Sequence, residues 1–159
     1  MSTDTLRREL IEKIRHLPAL LEEVVCDLSD EQLHTPYLAG EWTVGQNVHH
    51  LADSHLNSFI RLKLILTEDR PPLKGYDQAL WAEMADERNT PIESSLTILR
   101  GLHHRWVVLF ESLQDSDWQR VGMHSESGEM SVDDLLSYYA QHGEGHIDQI
   151  QRTLAAQSL

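Results

Sequence analysis

His142 and His146 stand four residues apart in the stretch His142-Gly143-Glu144-Gly145-His146. On a helix, that spacing puts two imidazoles on one face, one turn apart, where a single transition-metal ion can bridge them. A third donor has to come from another element, and Val48-His49-His50-Leu51-Ala52-Asp53-Ser54-His55 offers three histidines. Glu144 lies two residues past His142 rather than one, so the pair is not the HExxH of zinc proteases. It points elsewhere and takes no general-base role. Gly143 and Gly145 each cost a helix interior about 1 kcal/mol relative to alanine. Two of them between the histidines predict that a backbone, a side chain or a ligand comes close there.

Four long segments carry the helical period that would position these residues, and strand-like alternation is essentially absent. The first runs from about Asp4 to Asp27, with Leu6, Leu10, Ile14, Leu17, Leu21 and Val24 or Val25 on one side. Pro18 is expected to kink or interrupt it, because proline removes a backbone donor. Ser29 and Gln32 then form a capping box for a short helical turn. The second long helix begins at Thr43, capped with Gln46, and ends near Glu68 before Pro71 and Pro72. The third is predicted to begin at Thr90-Pro91-Ile92-Glu93 and to reach Leu113. The fourth starts at Ser131, with Asp134 as its capping-box partner, and runs to about Ala155. Connections over 28–42, 69–89 and 114–130 are long for a bundle, which suits crossovers rather than tight turns. The middle one contains Tyr76–Trp81, a candidate short helix. One all-α domain over residues 1–159, a four-helix bundle with long crossover connections, is the economical reading.

On the fourth helix the apolar stripe comprises Val132, Leu136, Tyr139, Ile147, Ile150 and Leu154, with His142 and His146 at its edge beside Leu135 and Tyr138. On the second, His55 falls inside the apolar stripe of Val44, Val48, Leu51, Phe59, Leu62 and Leu66. Gln46, His50, Asp53, Asn57 and Arg61 form a polar stripe on roughly the opposite side. That stripe reads either as a plain solvated face or as one wall of a polar site. Periodicity does not choose among His49, His50 and His55. Arg61 reads as solvated or as the receiver of a substrate carboxylate. Asp53 is the best candidate to accept the free N–H of a ligating histidine. Cys26 reads as core, Trp81 and Trp106 as packing anchors, and His103 and His104 as surface residues or supports of the site.

The chain has 159 residues, 13 Lys plus Arg against 26 Asp plus Glu, 10 His, and a formal net charge of -13. Such a field repels a phosphate backbone, so nucleic acid is not an expected partner. A single cysteine excludes an intramolecular disulfide, and no stretch approaches the roughly 20 apolar residues of a membrane span. The first ten residues lack the basic start and apolar core of a signal peptide. A cytoplasmic protein without membrane contact is the expectation.

Trp42-Thr43-Val44-Gly45-Gln46, then His50-Leu51-Ala52-Asp53-Ser54, with His142 and His146 near the C-terminus, resembles the DinB-like superfamily. Asp53–Ser58, Leu66-Thr67-Glu68-Asp69, Tyr76-Asp77, Leu80-Trp81-Ala82-Glu83, Thr90-Pro91-Ile92-Glu93, Gly101-Leu102-His103 and Arg105-Trp106 are similar to its YfiT-like branch. The resemblance spans nearly the whole chain in order. It implies an up-down-down-up four-helix bundle, often a homodimer, in which three histidines hold one divalent ion, zinc or nickel. By the same resemblance His50, the histidine preceding the leucine of His-Leu-Ala-Asp, joins His142 and His146 as ligand. Gly143-Glu144-Gly145 departs from the branch, which often has basic or further histidine residues between the last two ligands.

Three imidazoles leave a coordination position open, as in catalytic rather than structural sites. Two reactions on a small-molecule substrate follow: hydrolysis by activated water, or S-transfer from a low-molecular-weight thiol cosubstrate such as bacillithiol, mycothiol or glutathione. A reading of another class is a metal-binding, stress-responsive dimer without catalysis. Asp53, Asn57 and Arg61 are the expected supporting or substrate-contacting residues.

Overall fold

Three of the expected capping boxes form. In the computed structural model, which describes residues 3–157, Ser29, Thr43 and Ser131 each accept the N3 backbone N–H. Each is repaid by the N3 side chain, that of Gln32, Gln46 and Asp134 respectively. They open α2 (Asp30–His34), α3 (Val44–Thr67) and α7 (Val132–Ala156). The remaining long helices are α1 (Thr3–Val25) and α6 (Glu93–Glu111), and two short ones, α4 (Gln78–Trp81) and α5 (Ala85–Asn89), sit in the middle connection.

The start of α6 differs from expectation. Thr90 is not the N-cap of α6 but the C-cap of α5, and α6 begins after Ile92 with no side-chain cap. Glu93 turns instead to Arg100, and the Thr90 carbonyl faces His49. Pro18 does not interrupt α1, which is helical on both sides of it.

Contacts between the long helices fix their directions. Arg7 pairs with Asp133 and Lys13 with Glu144, so α1 and α7 run parallel. Arg15 pairs with Glu111 and Arg100 with Glu22, so α6 is antiparallel to α1. His49 meets Ser95 and His55 meets His103, so α3 and α6 are parallel. The four therefore run up-down-down-up, with α1 and α7 against α3 and α6. Parallel neighbours demand long crossovers, which is why the connections are long.

Those crossovers are not wholly irregular. Three short strands, β1 (Pro72–Leu73), β2 (Val121–His124) and β3 (Gly128–Ser131), make a small sheet in the order β1-β2-β3. β1 pairs parallel to β2 through Pro72 and Met123, and β2 pairs antiparallel to β3 through Val121 and Ser131. Strands of two and four residues are too short for an alternation to be read. Gly128, at φ +77°, takes the left-handed conformation the hairpin turn requires.

The apolar interior divides in two. One cluster centres on Ile14, Phe59, Leu62, Trp106, Phe110, Leu135 and Leu136. The other centres on Leu21, Val44, Val48, Leu51, Leu99 and Ile150. On α3 the buried His55 falls between these clusters, and the buried His103, beside Leu102 at the edge of the first cluster on α6, meets it in a polar layer. Cys26, expected in the core, is exposed just past the end of α1.

Candidate metal centre

α3 and α7 face each other antiparallel across this polar layer, and three histidines converge there. His142 Nε2 lies 3.3 Å from His50 Nε2 and 3.2 Å from His146 Nε2. The three ligating atoms all fall within 4.8 Å of one another. Metal–nitrogen bonds of about 2.0–2.1 Å in tetrahedral geometry would space neighbouring nitrogens roughly 3.3–3.4 Å apart. The two short separations match that spacing. Trp42 closes the cluster from outside, its ring 4.6 Å from that of His50 and stacked on His146 at 6.1 Å.

The partners of the other ring nitrogens say which nitrogen carries a proton. Asn47, fully buried, donates its amide to the Thr43 carbonyl at 3.0 Å. Its Oδ1 then accepts from His146 Nδ1 at 2.8 Å, leaving His146 Nε2 as a lone pair. A longer chain serves His142. Pro18 has no N–H, so the Ile14 carbonyl one turn back lacks its helical partner. That carbonyl accepts from His103 Nδ1 at 2.6 Å. His103 Nε2 is thereby an acceptor for His55 Nδ1 at 2.8 Å, and His55 Nε2 an acceptor for His142 Nδ1 at 3.2 Å. With Nδ1 protonated, His142 presents a lone pair at Nε2. A proline in the first helix thus sets the tautomer of a histidine in the last.

Burial keeps these rings neutral, the state a ligand needs. Desolvation pushes His50 and His142 down to about 3, reinforced by the neighbouring imidazoles. It lowers His146 to about 4, opposed by its side-chain hydrogen bond to Gln149, and drives the wholly buried His55 well below its ordinary value. His103 falls to about 4 by burial, the Ile14 carbonyl opposing.

A cavity of about 680 Å³ opens on His142. Its walls include Ser54, Arg61, Tyr76, His124, Tyr138 and Tyr139. Arg61 is 7% exposed rather than solvated, donating to the Tyr139 hydroxyl and the Lys74 carbonyl.

Of the supporting residues expected from the sequence, only Arg61 lines this cavity. Asp53 supports none of the three histidines: it turns toward α5, beside Glu87, in a separate small cavity with His49 and Ser95. Burial pushes Glu87 up to about 8, with the nearby Asp53 and Asp86 carboxylates adding to it. Asn57 donates to its own helix at the Asp53 carbonyl and lines a different cavity. His49 is occupied at both nitrogens, by Ser95 and by the Thr90 carbonyl.

Asn47 and His55 were not singled out as supports from the sequence, and His103 reads there as a surface residue or a support; a signal existed for both histidines. His103 falls in the α6 stripe Leu96-Leu99-His103-Trp106-Phe110, as His55 does in that of α3. A histidine in an apolar stripe must find buried partners. The expectation that something crowds the α7 glycines holds for one of them. A Cβ on Gly143 would stand 2.6 Å from Leu17 Cδ2, whereas Gly145 has nothing within 4 Å.

The chain is similar to known proteins. A protein of Oceanobacillus iheyensis named "putative metal-dependent hydrolase" is 47% identical over 148 residues, covering 93% of this chain and 86% of its own length. One of Geobacillus thermodenitrificans with the same name is 46% identical over 144 residues, covering 90% and 81%. The solved structure of YfiT from Bacillus subtilis superposes with a TM-score of 0.91 at 38% identity, covering 96% of this chain and 87% of that one. It is described as "a probable metal-dependent hydrolase with an unusual four-helix bundle topology". Residues 13–150 match the profile of the DinB superfamily, and the chain is a member of that superfamily.

Proposed function

We propose that this chain is a metal-dependent enzyme in which His50, His142 and His146 hold one divalent ion, zinc or nickel, at the floor of the cavity. The observation that carries the reading is the convergence of three Nε2 atoms, two of them 3.2 and 3.3 Å from the third, with His142 and His146 held in the tautomer that presents a lone pair there. The names of the relatives support metal dependence and hydrolysis. An ion bound by three imidazoles supplies a Lewis acid with an open position, at which a water's pKa falls to about 7 or a thiol is held as thiolate.

The protein's own residues do the rest. Asn47 holds the His146 ring and the His55–His103 pair the His142 ring in register, so little of these two reorganises as substrate arrives. Trp42 covers one side of the cluster, and the cavity admits a small molecule on the side of His142.

Thiol S-transfer is the second reading, and a specific observation favours it. Among the described residues, no carboxylate hydrogen-bonds to His50, His142 or His146. Hydrolysis calls for a base beside the attacking water, whereas a thiol already ionised needs none. The test is turnover of activated esters and of electrophiles such as monochlorobimane by metal-loaded protein, with and without bacillithiol, mycothiol or glutathione. Ester turnover without thiol supports hydrolysis, and strictly thiol-dependent turnover supports transfer. Failure of both with stoichiometric metal bound would sink the enzyme reading.

A further inference from the structure

The cavity beside His142 contains one feature the metal does not explain. Arg61 projects from the middle of α3 with 7% of its surface exposed, and forms none of the ion pairs among the described residues. Of the five N–H donors of a guanidinium, one reaches the Tyr139 hydroxyl, at a long 3.4 Å, and one the Lys74 carbonyl. Neither acceptor is charged. A buried cation without a counter-ion is costly, and such groups are normally paired. Among the described residues, Arg7, Lys13, Arg15, Arg70, Arg88, Arg100 and Arg152 have carboxylate partners even near the surface, and the cations that lack one, Arg8, Lys63, Lys74, Arg105 and Arg120, are exposed or only half-buried. Arg61 alone combines deep burial, absence of a carboxylate and a place in the wall of the cavity that also reaches His142.

We propose that Arg61 binds the carboxylate of a small monoanionic substrate or cosubstrate whose opposite, reacting end reaches His142. This rests on the reading of the histidine cluster as the reacting centre. A planar guanidinium matches a carboxylate through paired N–H donors. Tyr76, Tyr138, Tyr139 and Met130 line the space between and suit an apolar spacer. The same wall carries Asp77 and Glu126, and the chain's net charge is -13. One buried cation amid that negative field favours a single negative charge over a phosphate dianion.

The test compares hexanoate with hexanamide by calorimetric titration of metal-free protein, in the parent, Arg61→Gln and Arg61→Lys. A charge-assisted bond predicts hexanoate about tenfold tighter than hexanamide in the parent. The preference is expected to vanish in Arg61→Gln and to survive in part in Arg61→Lys. Thermal unfolding of each variant checks that the fold is kept, and the parent's own preference stands without any variant. Equal affinity for the two ligands in the parent, no binding of hexanoate, or an undiminished preference in folded Arg61→Gln overturns the proposal. A second arm uses 6-mercaptohexanoate and 6-mercaptohexanamide on zinc-loaded protein. If the histidine cluster is not the metal site, the thiol adds nothing to either ligand, yet the carboxylate preference remains. If Arg61 is not the anion site, the thiol gain appears in both ligands and the carboxylate preference does not.

Discussion

His49 and His50 are neighbours on α3, each 4% exposed, and they do opposite things. His49 faces α6, where Ser95 and the Thr90 carbonyl use both its nitrogens. His50 faces α7, where its Nε2 meets the Nε2 of His142, an atom left without a proton. One helix thus has a closed polar contact on one side and an open one on the other. What separates them is neither burial nor residue type but how many ring nitrogens already have a protein partner. A satisfied imidazole holds helices together, and an imidazole with a spare lone pair aimed at two others can hold an ion.

The sharpest way to break the comparison is His49→Ala. It strands the Ser95 hydroxyl and the Thr90 carbonyl, and should cost about 3 kcal/mol of stability at the usual penalty for stranded buried groups. Metal content should be unchanged. Loss of metal in a folded His49→Ala protein would merge the two contacts into one.

Acid should sharpen the comparison in the metal-free protein. The folded-state values of His50, His103, His142 and His146 lie at about 3 to 4, below the ordinary 6.5. The unfolded chain therefore binds more protons between about pH 4 and 6.5. Stability is full above 6.5 and falls as pH drops toward the folded values. A single such group accounts for about 2 kcal/mol between pH 6.5 and 5, so the unfolding free energy obtained from urea titrations should fall by at least that much. A flat profile would mean that the rings are not held neutral.

Next in size is the relay behind His142. His103→Leu removes the acceptor that orients His55 and should weaken metal binding about tenfold, within the range for groups supporting a ligand. Pro18→Ala restores a backbone N–H to compete for the Ile14 carbonyl and should act in the same direction, more weakly. Competition with a chromophoric chelator measures both, and unchanged affinity in His103→Leu would show that the relay is only packing.

The glycines of α7 give the smallest effects, of opposite sign. Gly143→Ala must displace Leu17 and should destabilise by about 1 kcal/mol or more. Gly145→Ala meets open space and should stabilise by up to about 1 kcal/mol through helix propensity. Equal shifts in melting temperature would contradict the packing described.

The long helices were legible because capping residues and apolar period act locally: Thr43 with Gln46 and Ser131 with Asp134 mark true starts. Thr90 carried the same signature and misled, since α5 ends on it and His49 binds its carbonyl. The small sheet escaped because its strands are shorter than one readable alternation. In the site, the spacing of His142 and His146 was visible, but the helical wheel left His50 on a face that could have been solvated. Only the resemblance preferred it to His49 and His55. Asp53 was expected to support a ligand and instead packs against Glu87, because partner choice across helices is not written in the period of either helix. Asn47 and the link from Pro18 through His103 are likewise contacts between distant segments.

The central claim is that three converging imidazoles hold one ion. Elemental analysis of purified parent beside His50→Ala, His142→Ala and His146→Ala tests it most directly. About one zinc or nickel per chain is predicted in the parent, with marked loss in every variant, since each supplies a bond that no other residue replaces. A variant that stays folded and keeps its full complement of metal would remove that histidine from the site and contradict the account.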